Sequence, residues 1–91
     1  MNPKWYHYVA ECSDGSFYSG VTTELRRRIN EHNTSIKGSK YTRARRPVRL
    51  VYFDEHKDRS AAQKAESSFR KLNRKQKEAL VSERLLSLIS S

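Results

Sequence analysis

Trp5 to Cys12 is rich in aromatic and β-branched residues and reads as a strand; Phe17 to Gly20 reads as a second. Between them lies Ser13-Asp14-Gly15-Ser16, a turn signal, so the two runs are expected to form a hairpin. The turn sets the register, and the register decides which side chains share a face. A two-residue Asp14-Gly15 loop pairs Ser13 with Ser16 and sets Tyr18 opposite Glu11, on the face away from Tyr8. A three-residue loop, Ser13 to Gly15, puts Gly15 in the left-handed position of a type I turn plus bulge. Ala10 then faces Tyr18, Tyr8 faces Gly20, and both phenols share one side. In that register Gly20 would leave open backbone opposite Tyr8, where a phosphate could approach.

The rest of the chain punctuates clearly. Thr22 or Thr23 can cap a helix running to about Asn33, with Leu25, Ile29 and His32 at helical spacing. Asn33 to Arg46 is polar and basic and reads as a loop. Pro47 closes it, and Val48 to Phe53 is a short apolar strand. Ser60 followed by Gln63 reads as a capping box opening a second helix, with Ala62, Ala65, Phe69 and Leu72 as its buried stripe. Asn73 followed by Gln76 can cap a third, with Leu80, Leu85, Leu88 and Ile89 on its apolar side. The expected order is β-β-α-β-α-α, an α+β fold with a small three-stranded antiparallel sheet flanked by helices. With 91 residues the chain is expected to be one domain, 1–91, with its core over about 5–80 and the last helix reaching about 89.

Charge narrows the partners. Lys and Arg total 19 against 10 acids, a net charge of +9. From His32 through Phe53 there are six basic residues and no acid: Lys37, Lys40, Arg43, Arg45, Arg46 and Arg49. A second cluster is Arg70, Lys71, Arg74, Lys75 and Lys77. Such a surface attracts polyanions, and nucleic acid is the usual one because each phosphate contact releases counterions. Neither cluster lies on a helix with a bulky apolar opposite face, which argues against an anionic membrane. The single Cys12, and the lack of an apolar run long enough to span a bilayer or of a signal-peptide pattern, give the expectation of a cytoplasmic protein. Three dispersed histidines give no zinc spacing.

Several residues stand out against this background. Tyr8 and Tyr18 are ten residues apart, Gly20 follows, then Arg28 and His32, and Glu66 sits inside an otherwise apolar helical stripe. This set resembles the GIY-YIG nuclease domain over roughly residues 5 to 80. Tyr6-His7-Tyr8 stands where the family has Gly-Ile-Tyr, and Tyr18-Ser19-Gly20 where it has Tyr-Ile-Gly. The likeness is greatest to the short, stand-alone bacterial members. The resemblance implies a phosphodiester-cleaving nuclease acting on DNA, in repair or processing, with Mg²⁺ or Mn²⁺ held weakly until substrate arrives. It implies catalytic roles for Tyr8, Tyr18, Arg28, His32 and Glu66. Tyr8 would activate or orient the attacking water, and Glu66 would hold the metal. A shared site of this kind requires the three-residue register, which is therefore the one expected.

Physical chemistry constrains these roles. A free phenol has a pKa near ~10, so Tyr8 needs cationic neighbours to act as a base. Arg28 suits a phosphate because it is bidentate and always charged; the plain alternative is a solvated arginine in the run Arg26-Arg27-Arg28. His32 could position phosphate or move a proton, or simply favour the helix C-terminus. Glu66 could ligate Mg²⁺, or pair at the rim with Arg70 four residues on. Lys40, Tyr41 and Arg43 resemble a Lys-Tyr-Thr-Arg segment of the short bacterial members. Tyr41 is expected to stack on a base, with Lys40, Arg43, Arg45, Arg46, Arg70 and Lys71 holding backbone phosphates. A non-catalytic nucleic-acid-binding module with the same fold is the competing expectation. A family asparagine beyond the glutamate has no counterpart; Asn73 comes too soon and reads as a helix cap.

Overall fold

The computed structural model describes residues 3–90, with side chains described as far as residue 86. Its elements are β1 (Trp5–Glu11), β2 (Phe17–Thr22), α1 (Leu25–Thr34), α2 (Lys40–Arg43), β3 (Arg49–His56), α3 (Arg59–Arg70) and α4 (Arg74–Ser90). The sheet order is β2-β1-β3, with both pairings antiparallel and β1 in the centre. This is the expected α+β fold, with one addition. The basic stretch read as a loop contains the single turn α2, because Ser39 caps it: Ser39 Oγ accepts from the Thr42 N–H at 3.1 Å.

The hairpin takes the three-residue register. Tyr8 faces Gly20 and Ala10 faces Tyr18. Gly15 has φ +83°, a conformation that costs other residues strain. Asp14 Oδ1 accepts from the Ser16 N–H at 3.0 Å and from the Ser16 hydroxyl at 2.6 Å, which fixes the turn.

Two caps differ from expectation. Glu24, not Thr22 or Thr23, is the N-cap of α1; Thr22 Oγ1 instead accepts from the Glu24 N–H at 3.1 Å. Asp58, not Ser60, caps α3, accepting from the Ala61 N–H at 2.8 Å. The Asn73/Gln76 pair closes reciprocally, each side chain accepting from the other's N–H at 2.8 and 3.0 Å. β3 runs to His56 because Asp54, Glu55 and His56 pair with His7, Tyr6 and Trp5.

Alternation along β1 divides the interior. Val9 packs with Val51, Phe69 and Val81 beneath α3 and α4. Ala10 packs with Cys12 and Val48, flanked by Tyr18 and by Ile29 of α1. A bulge shifts the β1–β3 register between Val9 and Ala10, which sets Val51 and Tyr52 together on the Val9 side. On α4, Val81 takes the buried position while Leu85 is exposed. The side chains of Leu88 and Ile89 lie outside the described residues.

Candidate active site at the edge of the sheet

Strand alternation sends Tyr8 to the α1 side, and the hairpin register brings Tyr18 to that side as well. Tyr8 is 1% exposed and its hydroxyl lies 2.7 Å from His32 Nε2. His32 is fully buried, and its Nδ1 lies 2.8 Å from Thr42 Oγ1. The Thr42 hydroxyl donates to the Ser39 carbonyl at 3.1 Å. With the Thr42 proton assigned to that carbonyl and Ser39 Oγ also 3.0 Å from Thr42 Oγ1, Thr42 Oγ1 is free to accept from His32 Nδ1–H. In that tautomer Nε2 accepts from the Tyr8 hydroxyl. The result is a buried relay running from β1 through α1 to α2.

Both ends of the Tyr8–His32 bond are held neutral. Burial pushes the Tyr8 phenol up to about 12; the adjacent Arg28 works against that shift, and Tyr18 and Glu66 add to it. Burial, followed by the Arg28 charge, pulls His32 down to about 4. The expectation that cationic neighbours make Tyr8 a ready phenolate thus meets a stronger opposing effect, desolvation.

Gly20 has a different role from the one expected. A Cβ there would lie 2.6 Å from the Tyr8 hydroxyl and 2.8 Å from its Cζ. The space above the glycine is filled by the Tyr8 ring itself, not left open for a phosphate.

Arg28 is partly buried and donates from Nη1 to the Lys37 carbonyl at 2.8 Å and to Glu31 at 3.3 Å. Burial lowers its pKa, but Tyr8 and Glu31 outweigh that and hold it above its ordinary value. It is therefore the arginine of the 26–28 run that turns toward the phenols.

Tyr18 lies between this buried relay and a surface cleft of about 400 Å³ along the β2 edge. Its ring meets His32 edge-on at 5.1 Å and stacks on Tyr41 at 6.1 Å. Across the cleft stand Glu66, Phe69, Arg70 and Lys77. Glu66 is its one acidic lining residue, with a side chain 19% exposed and Arg70 Nη1 3.3 Å from one oxygen. Glu66 therefore makes the rim pair with Arg70 and also faces the phenols. Among the described residues no three His, Cys, Asp or Glu side chains form a metal cluster. A single shielded carboxylate at an open cleft fits Mg²⁺, which keeps much of its water, and does not fit a fully protein-built cage.

The basic residues divide by what they touch. Lys40, Arg43 and Lys71 are exposed and make no ion pair among the described residues. Arg46 does not present itself to a ligand: its Nε donates to the His32 carbonyl at 2.5 Å and its Nη2 to the Ser35 carbonyl at 2.6 Å. It serves carbonyls at the end of α1, where the helical ladder runs out. Arg45 donates to Asp14 at 3.0 Å and lies 3.8 Å over the Tyr41 ring. Tyr41 thus already has its stacking partners, Arg45 and Tyr18, inside the protein, contrary to the expected open platform for a base. Thr42 and Ser39 carry no signal in the sequence, where a threonine inside a basic run shows no mark of its hydrogen bonds. Lys77 is visible there only as one member of a charge cluster.

A protein this small that places a tyrosine–histidine pair, an arginine and a lone glutamate at one sheet edge has the layout of a nuclease domain of the GIY-YIG class. The GIY-YIG catalytic-domain model matches residues 4–79, and the chain belongs to that family. A UPF0213 protein of Desulfotalea psychrophila is 49% identical over 79 residues, 87% of this chain and 72% of that protein. One from Bacillus cereus is 56% identical over 71 residues, 78% of this chain and 73% of that protein. The solution NMR structure of the UPF0213 protein of Bacillus halodurans superposes with a TM-score of 0.56 at 46% identity, covering 87% of this chain and 83% of that one. A protein of E. faecalis, also solved by NMR, gives 0.58 at 42% identity, covering 92% and 90%. Among the described residues no helix is long and apolar enough to cross a membrane.

Proposed function

We propose that this protein is a metal-dependent phosphodiesterase that cuts DNA and serves DNA repair or processing in the cytoplasm. The observation that carries the reading is the Tyr8–His32 hydrogen bond, set behind Tyr18 at a cleft whose acid is Glu66. Glu66 would hold Mg²⁺ or Mn²⁺, weakly until a substrate phosphate completes the shell. When bound, the ion polarises the scissile phosphate and neutralises charge on it.

The chain's own residues account for the proton. With a pKa pushed up to about 12, Tyr8 is not a free base at neutral pH. In the relay, water gives its proton to the Tyr8 oxygen as Tyr8 passes its own to His32 Nε2. That step requires the incoming phosphate's negative charge to raise the imidazole from about 4. The water oxygen bonds to phosphorus, and the bond to the leaving oxygen breaks, that oxygen taking the bonding pair and then a proton from solvent. Thr42 keeps the imidazole in the tautomer that can accept. Because Tyr8 is almost fully buried, substrate entry has to shift Tyr18 or Arg28 so that water reaches it. Arg28 and Tyr18 then stabilise charge on the phosphate, and Arg43, Lys40, Arg70 and Lys71 hold the strand on either side.

The test is a Mg²⁺ and Mn²⁺ titration of nicking on plasmid and flap DNA, run beside an RNA version. Glu66→Ala and Tyr8→Phe are each expected to lower the rate by about 10²–10³ while DNA binding persists. Equal cleavage by wild type and Glu66→Ala would mark a contaminant and remove the enzyme claim. Salt-sensitive binding without metal-dependent nicking would leave the second reading, a non-catalytic nucleic-acid-binding module, which the 1% exposure of Tyr8 favours. Cleavage of the RNA version alone would overturn DNA as substrate.

A further inference from the structure

Ile36 is 85% exposed, the most exposed large apolar side chain among the described residues. A lone surface isoleucine ordinarily means nothing. This one is held in place on both sides. Arg46 donates to the Ser35 carbonyl at 2.6 Å, and Arg28 donates to the Lys37 carbonyl at 2.8 Å. Ser35 Oγ accepts from the Lys37 N–H at 3.0 Å, and the Gly38 N–H donates to the Ser35 carbonyl at 3.2 Å, closing a tight turn. Gly38 is buried against α1, where a Cβ would lie 2.8 Å from the Glu31 carbonyl oxygen. The turn therefore presents Ile36 on a fixed base, with little ordering left to lose on binding. Exposed Lys37 follows it directly and exposed Lys40 lies four residues on, and the turn leads directly into α2, whose Tyr41 forms a wall of the cleft.

We propose that Ile36 is a wedge that enters the base stack of a duplex beside the scissile phosphate. The inference rests on the nucleic-acid reading above and adds a substrate class: double-stranded DNA with a weakened step, such as a mismatch or a flap junction. The cleft points the same way. At about 400 Å³ it has the scale of a small-ligand pocket, so it takes part of one strand and not a duplex. A strand seated along the cleft would bring its neighbouring base step past the turn, where an apolar side chain beside cations can enter the stack. The cations hold phosphates while the side chain displaces a stacked base, at a cost that is lowest where stacking is already poor. The turn is tied to Arg28 through the Lys37 carbonyl, so seating the wedge also acts on an arginine next to Tyr8.

The probe is a DNA duplex carrying 2-aminopurine next to a single mismatch, titrated without divalent metal and compared with the same duplex fully paired. Wild type is expected to brighten the mismatched probe and to bind it about tenfold more tightly than Ile36→Ser does, the scale of burying part of one aliphatic side chain. Ile36→Ser is expected to keep the wild-type salt slope without brightening the probe. Lys37→Ala is expected to lower the slope by about one phosphate contact and still brighten it. Binding with the full salt slope but no brightening by wild type, or equal brightening by Ile36→Ser, would overturn the wedge and leave the nucleic-acid reading standing. No salt-dependent binding by any variant would overturn both.

Discussion

His7 and Tyr8 are neighbours on β1, and both are buried to within 1% of full coverage. They point to opposite faces of the sheet and meet opposite treatment. Tyr8 enters a polar relay in which each group has a partner at 2.7 to 3.1 Å, from Tyr8 through His32 and Thr42 to the Ser39 carbonyl. His7 lies among Tyr52 and Phe69, reaches Asp54 only at 3.4 Å, and leaves Nε2 with no partner. The α3/α4 face is a core of apolar contact that tolerates a poorly served histidine. The α1/α2 face gives buried volume to hydrogen bonds, at a position where apolar side chains would pack as well. A fully satisfied buried network specifies one arrangement of its members. That is what a site needs and a core does not.

Stability should separate the two faces. Phe69→Ala strikes the apolar side, where Phe69 packs on Val9, Val51 and Val81. It is expected to cost about 3–5 kcal/mol in denaturant unfolding, more than any other substitution on either face. A loss under about 1 kcal/mol would mean that this face is not the main core.

The polar side should reveal itself through pH. His32 is pulled from 6.5 down to about 4, so the unfolded chain takes up its proton first as pH falls. The stability from keeping His32 neutral is complete above about 6.5 and is lost progressively toward 4, on the order of 3 kcal/mol in all. Tyr8 is raised from 10.0 to about 12, so its contribution is complete below 10 and is lost as pH climbs through 12. Urea titrations at pH 7, 5.5 and 4.5 should show the acid limb, and His32→Gln should flatten it from a lower starting stability. A wild-type curve level from pH 7 to 4.5 would contradict the buried neutral imidazole.

The contrast also explains what could be read from the chain. The hairpin register followed from Gly15 and from the parity needed to set Tyr8 beside Tyr18, because alternation is a property of the backbone. The Asn73/Gln76 cap was legible for the same local reason. Asp58 as a cap was missed because Ser60 also fits the pattern and only the entry angle of the chain decides between them. Arg28 was legible only through the family resemblance, which singles it out of the run Arg26-Arg27-Arg28, and the structure sets it beside Tyr8. The fates of Arg45 and Arg46 were not legible: both belong to a basic run, and only tertiary contacts make one a clamp on Tyr41 and the other a helix cap. Burial of Tyr8 was hidden in the same way: alternation gives its face but not what covers it.

Gly20→Ala tests how tightly Tyr8 is confined. The added Cβ would meet the Tyr8 hydroxyl at 2.6 Å, and that hydroxyl is fixed by His32. Overpacking of this kind typically costs about 1–3 kcal/mol. At Gly15 nothing lies within 4 Å of an added Cβ, so Gly15→Ala should cost only backbone strain. A cycle with Tyr8→Phe should show coupling, since removing the hydroxyl removes the nearest clash. Strict additivity would indicate that Tyr8 has room to move away.

The smallest effect is expected at His7 and is the sharpest comparison of the two faces. His7→Phe keeps an aromatic ring against Phe69 and Tyr52 and removes a buried nitrogen that has no partner. Asp54 retains His56 as a partner. Replacing a poorly satisfied buried polar group with an apolar one of similar shape is close to neutral, so the change should stay within about 1 kcal/mol. His32→Phe is nearly the same substitution by volume, one sheet face away. It strands the Tyr8 hydroxyl and alters the partners of Thr42, each a buried polar group costing about 1–3 kcal/mol when unsatisfied. The difference between the two variants, measured by the same urea titration at pH 7, isolates the worth of the relay from that of a buried aromatic ring. If the two cost the same, the chain from Tyr8 to Ser39 is incidental packing, and the division of labour across β1 fails with it.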